Sequence, residues 1–425
     1  TMEMERSGVR VDLNRLKKAA VIFADMDRLL VKAIHRRLGI SSKAPSNSEA
    51  AFNIDSGPQL AKALIDAGKL SSRVLTPTGR QSTKITVLHE TCNDKKLLDL
   101  LSVHSVLAKY NSTFVTPWIE QAEQTHGYIL PKFAQVHARD GNGGGGTRTG
   151  RYSCSNPNLQ TVTANVDESK NRDVLLLLQK WLREEYEFDF IGLRDFFLPD
   201  EGSVLIATDY NQQEVRLLGH FEEGLLTKAY NDDPKLDVHT FIQQLIKKIT
   251  GVEYARKSIK ILVFGMIYGM GVNKLALAIG EPVAVAKAIR DAMFEAIPGI
   301  RKLMRQLQEL ETRKLPLRTW GGREYYTEDP IIFNGSVINF GYKNLNTLIQ
   351  GSAADVTKQG MINVHEQVPQ ARIAIQVHDE LICMAPNESY GPKIARAMCD
   401  MKFAVPMTAE PKYSRETWAR VKEEY

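Results

Sequence analysis

The chain has 425 residues, of which 43% are hydrophobic and 25% charged. This balance supports a sizeable core and excludes disorder, collagen-like repeats and a disulfide scaffold. At about 150 residues per domain the length corresponds to roughly three domain-sized units. Lys and Arg total 55 against 50 acidic residues, a net charge of +5, too mild to name a partner by itself.

The N-terminus, TMEMERSGVRVDLNRL, is charged throughout and lacks the apolar core of a signal peptide. No run reaches the ~18 apolar residues of a membrane span. A start at Thr1 suggests a trimmed piece of a longer chain. From Val11 to about Lys132 the pattern is mostly helical, as in Lys95 to Val115, with breaks at Asn53 to Pro58 and Pro77 to Gly79. The run Gly141 to Gly146 reads as a hinge or boundary. Val174 to Phe190 reads as an apolar helix with an acidic end. SVLIATDY, from Ser203, is a short apolar run ending in an acid, the mark of a buried strand, and helical patterns follow to about Gln308. Ala371 to Ala385 reads as a hairpin with His378, Asp379 and Glu380 at its tip. The cysteines Cys92, Cys154, Cys383 and Cys399 are far apart and in no CxxC spacing, which suits a reducing interior and outlines no metal site.

Three constellations carry candidate chemistry. Asp209 and Asp379 each close a buried strand, and stiff strand ends can hold two carboxylates at the separation a pair of divalent cations needs. Taken singly, such an acid is more often a turn residue. In Arg256 to Tyr268, the residues Arg256, Lys260, Phe264 and Tyr268 recur every fourth position and so line one helix face. Two cations followed by two aromatics suit a nucleoside triphosphate laid along the helix; an ordinary amphipathic helix gives the same spacing. Between Gly299 and Arg323, seven basic residues (Arg301, Lys302, Arg305, Arg313, Lys314, Arg318, Arg323) face only Glu309 and Glu311. That is a polyanion footprint or a solvated helix face.

These motifs together resemble a known set. ATDYNQQEVRLLGHF (Ala207 to Phe221), RKSIKILVFGMIYG (Arg256 to Gly269) and QVHDEL (Gln376 to Leu381) resemble motifs A, B and C of the family A DNA polymerases, the DNA polymerase I type. TGR with SNPNLQ, LRDFFLP, DVHT and NTLIQGSAAD are similar to further family segments, and TPTGRQSTKITVL resembles part of the thumb. The resemblance runs nearly end to end. It implies a mixed α and β right-hand fold, with an antiparallel palm sheet and mostly helical fingers and thumb. Its division would be 1–140 N-terminal segment and thumb, 141–221 first part of the palm, 222–335 fingers and 336–425 second part of the palm.

The resemblance also implies roles. Asp209, Asp379 and the backbone carbonyl of Tyr210 would bind two Mg²⁺, for which Mn²⁺ can substitute, with Glu380 in support. Lys260 would act in catalysis. Arg256, Lys260, His239 and Arg194 would hold the triphosphate, while Phe264 and Tyr268 would contact sugar and base, with Gln212 also on the nucleotide side. Glu214 would exclude ribonucleotides by crowding C2′, and Phe264 in place of Tyr implies discrimination against dideoxynucleotides. Arg151, Asn346, Gln350 and His378 would touch the primer-template, where acceptors shared by correct pairs allow shape to be checked.

The implied partners are primer-template DNA and deoxynucleoside triphosphates, with no membrane. A monomer in the bacterial or infected-host cytoplasm is expected, open to accessory replication proteins. Asn211 stands for the usual Ser, Gln213 where a hydrophobic residue is common, and Tyr342 where many relatives have Arg. These departures and the compact chain point towards a phage source. The segment Ala164 to Phe190 is longer than the family pattern and suggests an accessory helix near the palm. No DxE pattern of a proofreading exonuclease precedes the thumb-like region, so this chain alone is not expected to proofread. Two other readings are a single-subunit RNA polymerase and a catalytically silent nucleic-acid-binding relative. Glu214 opposes the first and the two metal acids oppose the second.

Overall fold

The structure is a computed structural model that describes residues 2–40, 52–135, 146–162, 172–333 and 335–422. The Gly-rich run expected as a hinge lies outside the described residues, apart from Gly146. At the centre are four antiparallel strands, β1 (Val204–Tyr210), β2 (Arg372–Val377), β3 (Glu380–Ala385) and β4 (Ala409–Ser414), in the order β2-β3-β1-β4. The unbroken apolar run of β1 follows from its place: it is paired on both sides, and residues 204–208 are all buried. Its neighbour β4 lies at an edge, where Pro411 and Lys412 are tolerated. Residues His378 and Asp379 form the tight turn from β2 to β3, with His378 at φ 56°. The register sets Asp209 opposite Glu380 on one side and Glu410 on the other.

Helices surround the sheet. In α1 (Leu13–Leu38), Leu16, Phe23, Leu30 and Ile34 are buried at helical spacing. The helix α2 (Lys95–Lys109) continues as a π-helical stretch, Tyr110–Val115. Ile34, Leu64, Leu88, Leu97 and Leu101 form a small separate core at this end of the molecule. The apolar segment after residue 172 does form a helix, α3 (Arg172–Tyr186). It stops at Glu187, φ 48°, and the chain then buries Phe188 and Phe190 edge-on against Phe23. This helix packs chiefly against α2, and its buried leucines belong to the same core as the sheet. Its Leu175, Leu178 and Leu182 stripe needs an apolar partner face, which α2 supplies.

After β1 come α4 (Gln213–Glu222), α5 (Val238–Thr250), α6 (Arg256–Ile267) and α7 (Pro298–Thr312). The long α8 (Asn344–Gln367) lies against α4. Where α6 ends, Gly269 has φ 68°, and a Cβ there would fall 2.8 Å from the Tyr342 carbonyl oxygen. Only glycine allows that approach. Among the described residues no helix is long and apolar enough to cross a membrane.

Candidate active site

The ladder and the hairpin turn bring Asp209, Asp379 and Glu380 to one end of the sheet; the Tyr210 amide donates to the Asp379 carbonyl at 3.4 Å. Strand alternation sends the Tyr210 side chain to the opposite face, where its hydroxyl donates to the Met398 carbonyl at 2.5 Å. Asp209 keeps an open face to solvent but is otherwise surrounded by protein. Its carboxyl is held well above the ordinary carboxylate range by desolvation and by the charges of Asp379 and Glu380. Burial raises Asp379 as well. Lys412 acts against the rise at Asp209 and Arg151 against that at Asp379, but burial outweighs them and both carboxyls stay raised.

Among the described residues no group of three or more His, Cys, Asp and Glu side chains is arranged to hold a metal. A pair of carboxylates still fits Mg²⁺, which commonly takes one or two carboxylates, substrate phosphates and waters in place of an all-protein cage.

A second cluster centres on the buried Glu214, near the start of α4. Arg151 Nη2 donates to its Oε1 at 2.5 Å, and the Tyr268 hydroxyl donates to its Oε2 at 2.8 Å. Gln350, on α8, hydrogen-bonds the same tyrosine. Burial and the Glu214 charge push the Tyr268 hydroxyl up to about 12. This cluster links the end of α6 to the sheet acids, because Arg151 and Glu214 both act on Asp379 electrostatically.

The stripe on α6 forms as spaced. Ile259, Leu262, Val263, Met266 and Ile267 face the core, which leaves Arg256, Lys260 and Phe264 outward and Tyr268 at the cap. The Phe264 and Tyr268 rings stack at 6.2 Å, and His239 lies 5.8 Å from Phe264. Burial, then the Arg256 charge, holds His239 down near 4, so the imidazole is neutral at pH 7. Lys260 is exposed and makes no ion pair among the described residues. Arg256 grips Asp237 with both Nε, at 2.7 Å, and Nη2, at 2.9 Å.

Arg194 makes its contacts on the sheet side of the site. It is buried beside the sheet, 3.6 Å from Glu380, with its guanidinium 3.9 Å from the centre of the Trp418 ring and Nε donating to the Val162 carbonyl. The Gln212 side chain bonds Tyr230 and the Leu236 carbonyl. Gln213, the polar departure, is buried but satisfied on α8 by Thr357 and the Ala353 carbonyl. His378 and Arg151 line one small cavity with Gln160 and Gln376. Asn346 has a buried Oδ1 with no hydrogen-bond partner among the described residues.

The basic run on and after α7 is thinner than its count. Arg323 is bound to Asp355 at 2.5 Å and Arg318 to Glu324 at 2.6 Å. Both acids lie beyond Arg323 in the chain, and Arg301, Lys302, Arg305, Arg313 and Lys314 remain exposed. Two residues escaped the sequence reading. Arg216 donates to the carbonyls of Asn211, Pro234 and Pro406, which fixes the turn after β1. Asp237 caps α5, and an acid just before an apolar helical run was the available signal.

The sequence pattern of DNA polymerase family A matches residues 26–420. The chain belongs to that family. DNA polymerase I of Chloroflexus aurantiacus is 28% identical over 419 residues, covering 95% of this chain and 40% of the relative. That of Bacillus caldotenax is 30% identical over 397 residues, covering 91% and 40%. The thermostable enzyme of Thermus aquaticus is 27% identical, covering 99% and 47%. This family A chain therefore spans less than half the length of these relatives. The POL domain of Pol1 from M. smegmatis, solved in complex with DNA primer-template and dNTP, superposes with a TM-score of 0.74 at 24% identity. The match covers 99% of this chain and 69% of the solved one, and the fold is the right-hand polymerase fold.

Proposed function

We propose that the chain is a DNA-templated DNA polymerase that extends a primer 3′-hydroxyl with deoxynucleoside triphosphates and releases pyrophosphate. The observation that carries this reading is the juxtaposition of the acids on β1 and β3 with the stripe on α6 through Glu214. The sheet with α8 acts as palm, the helices from α5 to α7 as fingers, and α1 with α2 as part of the thumb.

Asp209, Asp379 and the Tyr210 carbonyl would hold the divalent cations, with Glu380 kept beside them by Arg194. When bound, such a pair lowers the pKa of the attacking hydroxyl and steadies the leaving oxygen. Lys260 and Arg256 bind the triphosphate, and the charge on Lys260 offsets the charge that builds up on the departing pyrophosphate. Neutral His239 adds a hydrogen bond without a further charge. Phe264 and Tyr268 form the wall for sugar and base. Arg151, Asn346, Gln350 and His378 meet the primer-template.

Glu214 decides between DNA and RNA synthesis. Held from two sides by Arg151 and Tyr268, it is a fixed obstacle, which suits exclusion of a 2′-hydroxyl. The test is template-directed primer extension with deoxy- and ribonucleoside triphosphates in parallel. Deoxynucleotides should be strongly preferred, and Glu214→Ala should ease ribonucleotide entry. Equal use of both by the unaltered chain would contradict the assignment.

A further inference from the structure

Arg256 is a long side chain at the exposed first turn of α6, yet it is not loose. Asp237 Oδ2 accepts from its Nε and Oδ1 from its Nη2, which leaves Nη1 without a partner among the described residues. The same carboxylate is tied down in turn. Oδ1 accepts from the His239 and Thr240 amides at 3.2 and 3.4 Å, and Oδ2 from the Thr240 hydroxyl at 2.8 Å. One acid therefore caps the helix that carries His239 and also fixes the Arg256 guanidinium on the neighbouring helix. A planar guanidinium gripped along its Nε edge presents its far edge in one orientation.

We propose that Asp237 is the positioning residue for Arg256, holding its Nη1 edge ready for the triphosphate of the incoming nucleotide and keeping Arg256 and His239 in register. The inference rests on the proposed function, in which Arg256 contacts that triphosphate. Its benefit is entropic: a guanidinium already ordered in the free enzyme loses little freedom on binding. Bulk electrostatics gives the opposite sign. Removing the Asp237 charge makes the site more positive, which alone would tighten binding of a polyanion.

The test uses Asp237→Asn, since Asn caps a helix about as well as Asp but cannot form the charged fork. Equilibrium dissociation constants for the correct deoxynucleoside triphosphate are measured on complexes with a dideoxy-terminated primer-template. The variants are Asp237→Asn, Arg256→Ala and the double substitution, with thermal unfolding run beside them. Asp237→Asn should weaken nucleotide binding by roughly three- to ten-fold, the cost of ordering one long side chain, and should add nothing once Arg256 is alanine. Unchanged or tighter binding by Asp237→Asn would overturn the inference. So would an equal weakening in the Arg256→Ala background, which would mark a purely structural effect. If Arg256→Ala itself binds nucleotide normally, the role given to Arg256 falls instead.

Discussion

Aspartates in two parts of the molecule have opposite surroundings. In the N-terminal helical part, Asp94 caps α2 through the Leu97 amide and accepts from Lys69 and Arg37, each at 2.9 Å. The hydrogen bond from Lys69 and the other donors bring its carboxyl down to about 2. At the sheet end, Asp209 and Asp379 are gathered with Glu380, and burial drives both the other way, helped at Asp209 by the charges of Asp379 and Glu380. The first acid stabilises the fold. The second pair costs stability, and such a cost in a well-packed sheet supports the proposed ligand site.

The lysines sharpen the contrast most. Lys260 makes no ion pair among the described residues, whereas Lys69 is spent on Asp94. Lys260→Ala should slow extension by on the order of 10²-fold, the usual loss of one transition-state charge contact, with the fold intact. Lys69→Ala should instead lower the unfolding midpoint and leave extension by the folded fraction unchanged. Steady-state extension beside thermal unfolding separates them, and the reverse pattern would break the comparison.

Next in size, Asp94→Ala should cost about 2 kcal/mol, the energy equivalent of its depressed pKa. A carboxyl lowered on folding contributes stability above its unfolded value near 4, lost as pH falls through about 2. Denaturant titrations at pH 7 and near pH 2 check this: the difference between Asp94→Ala and the unaltered chain should shrink at the lower pH.

The smallest effect has the opposite sign. A carboxyl raised on folding binds its proton more tightly in the folded chain, so the charged form weakens the fold as pH rises through the raised pKa. Asp209→Asn, measured without divalent metal at neutral pH, should therefore raise the unfolding midpoint slightly. A lower midpoint would mean that Asp209 is a structural acid like Asp94.

Much of this contrast was legible in the sequence, and the reason is locality. β1, the hairpin and the α6 stripe are each set by periodicity within a few turns or one strand, and all three formed where the spacing placed them. What was hidden depends on partners far along the chain. Arg194 meets Glu380 and Trp418, so its place in a family segment gave no warning that it stays on the sheet side. Arg323 looked like a free cation until Asp355, on α8, closed on it. Gln213 seemed a polar intruder because its acceptor, Thr357, lies on another helix. The α3 helix was readable from its leucines, but its packing surface was not, since an apolar stripe does not say which face will cover it.

The unfavourable pair Asp209 and Asp379 is proposed to exist for catalysis. Primer extension by Asp209→Ala and Asp379→Ala, with primer-template affinity measured on the same preparations, tests it most directly. Each substitution should cut extension by about 10³-fold or more, given that cations of this kind supply several kcal/mol of charge stabilisation, while DNA binding is largely retained. Extension at the unaltered rate by either variant would contradict the claim.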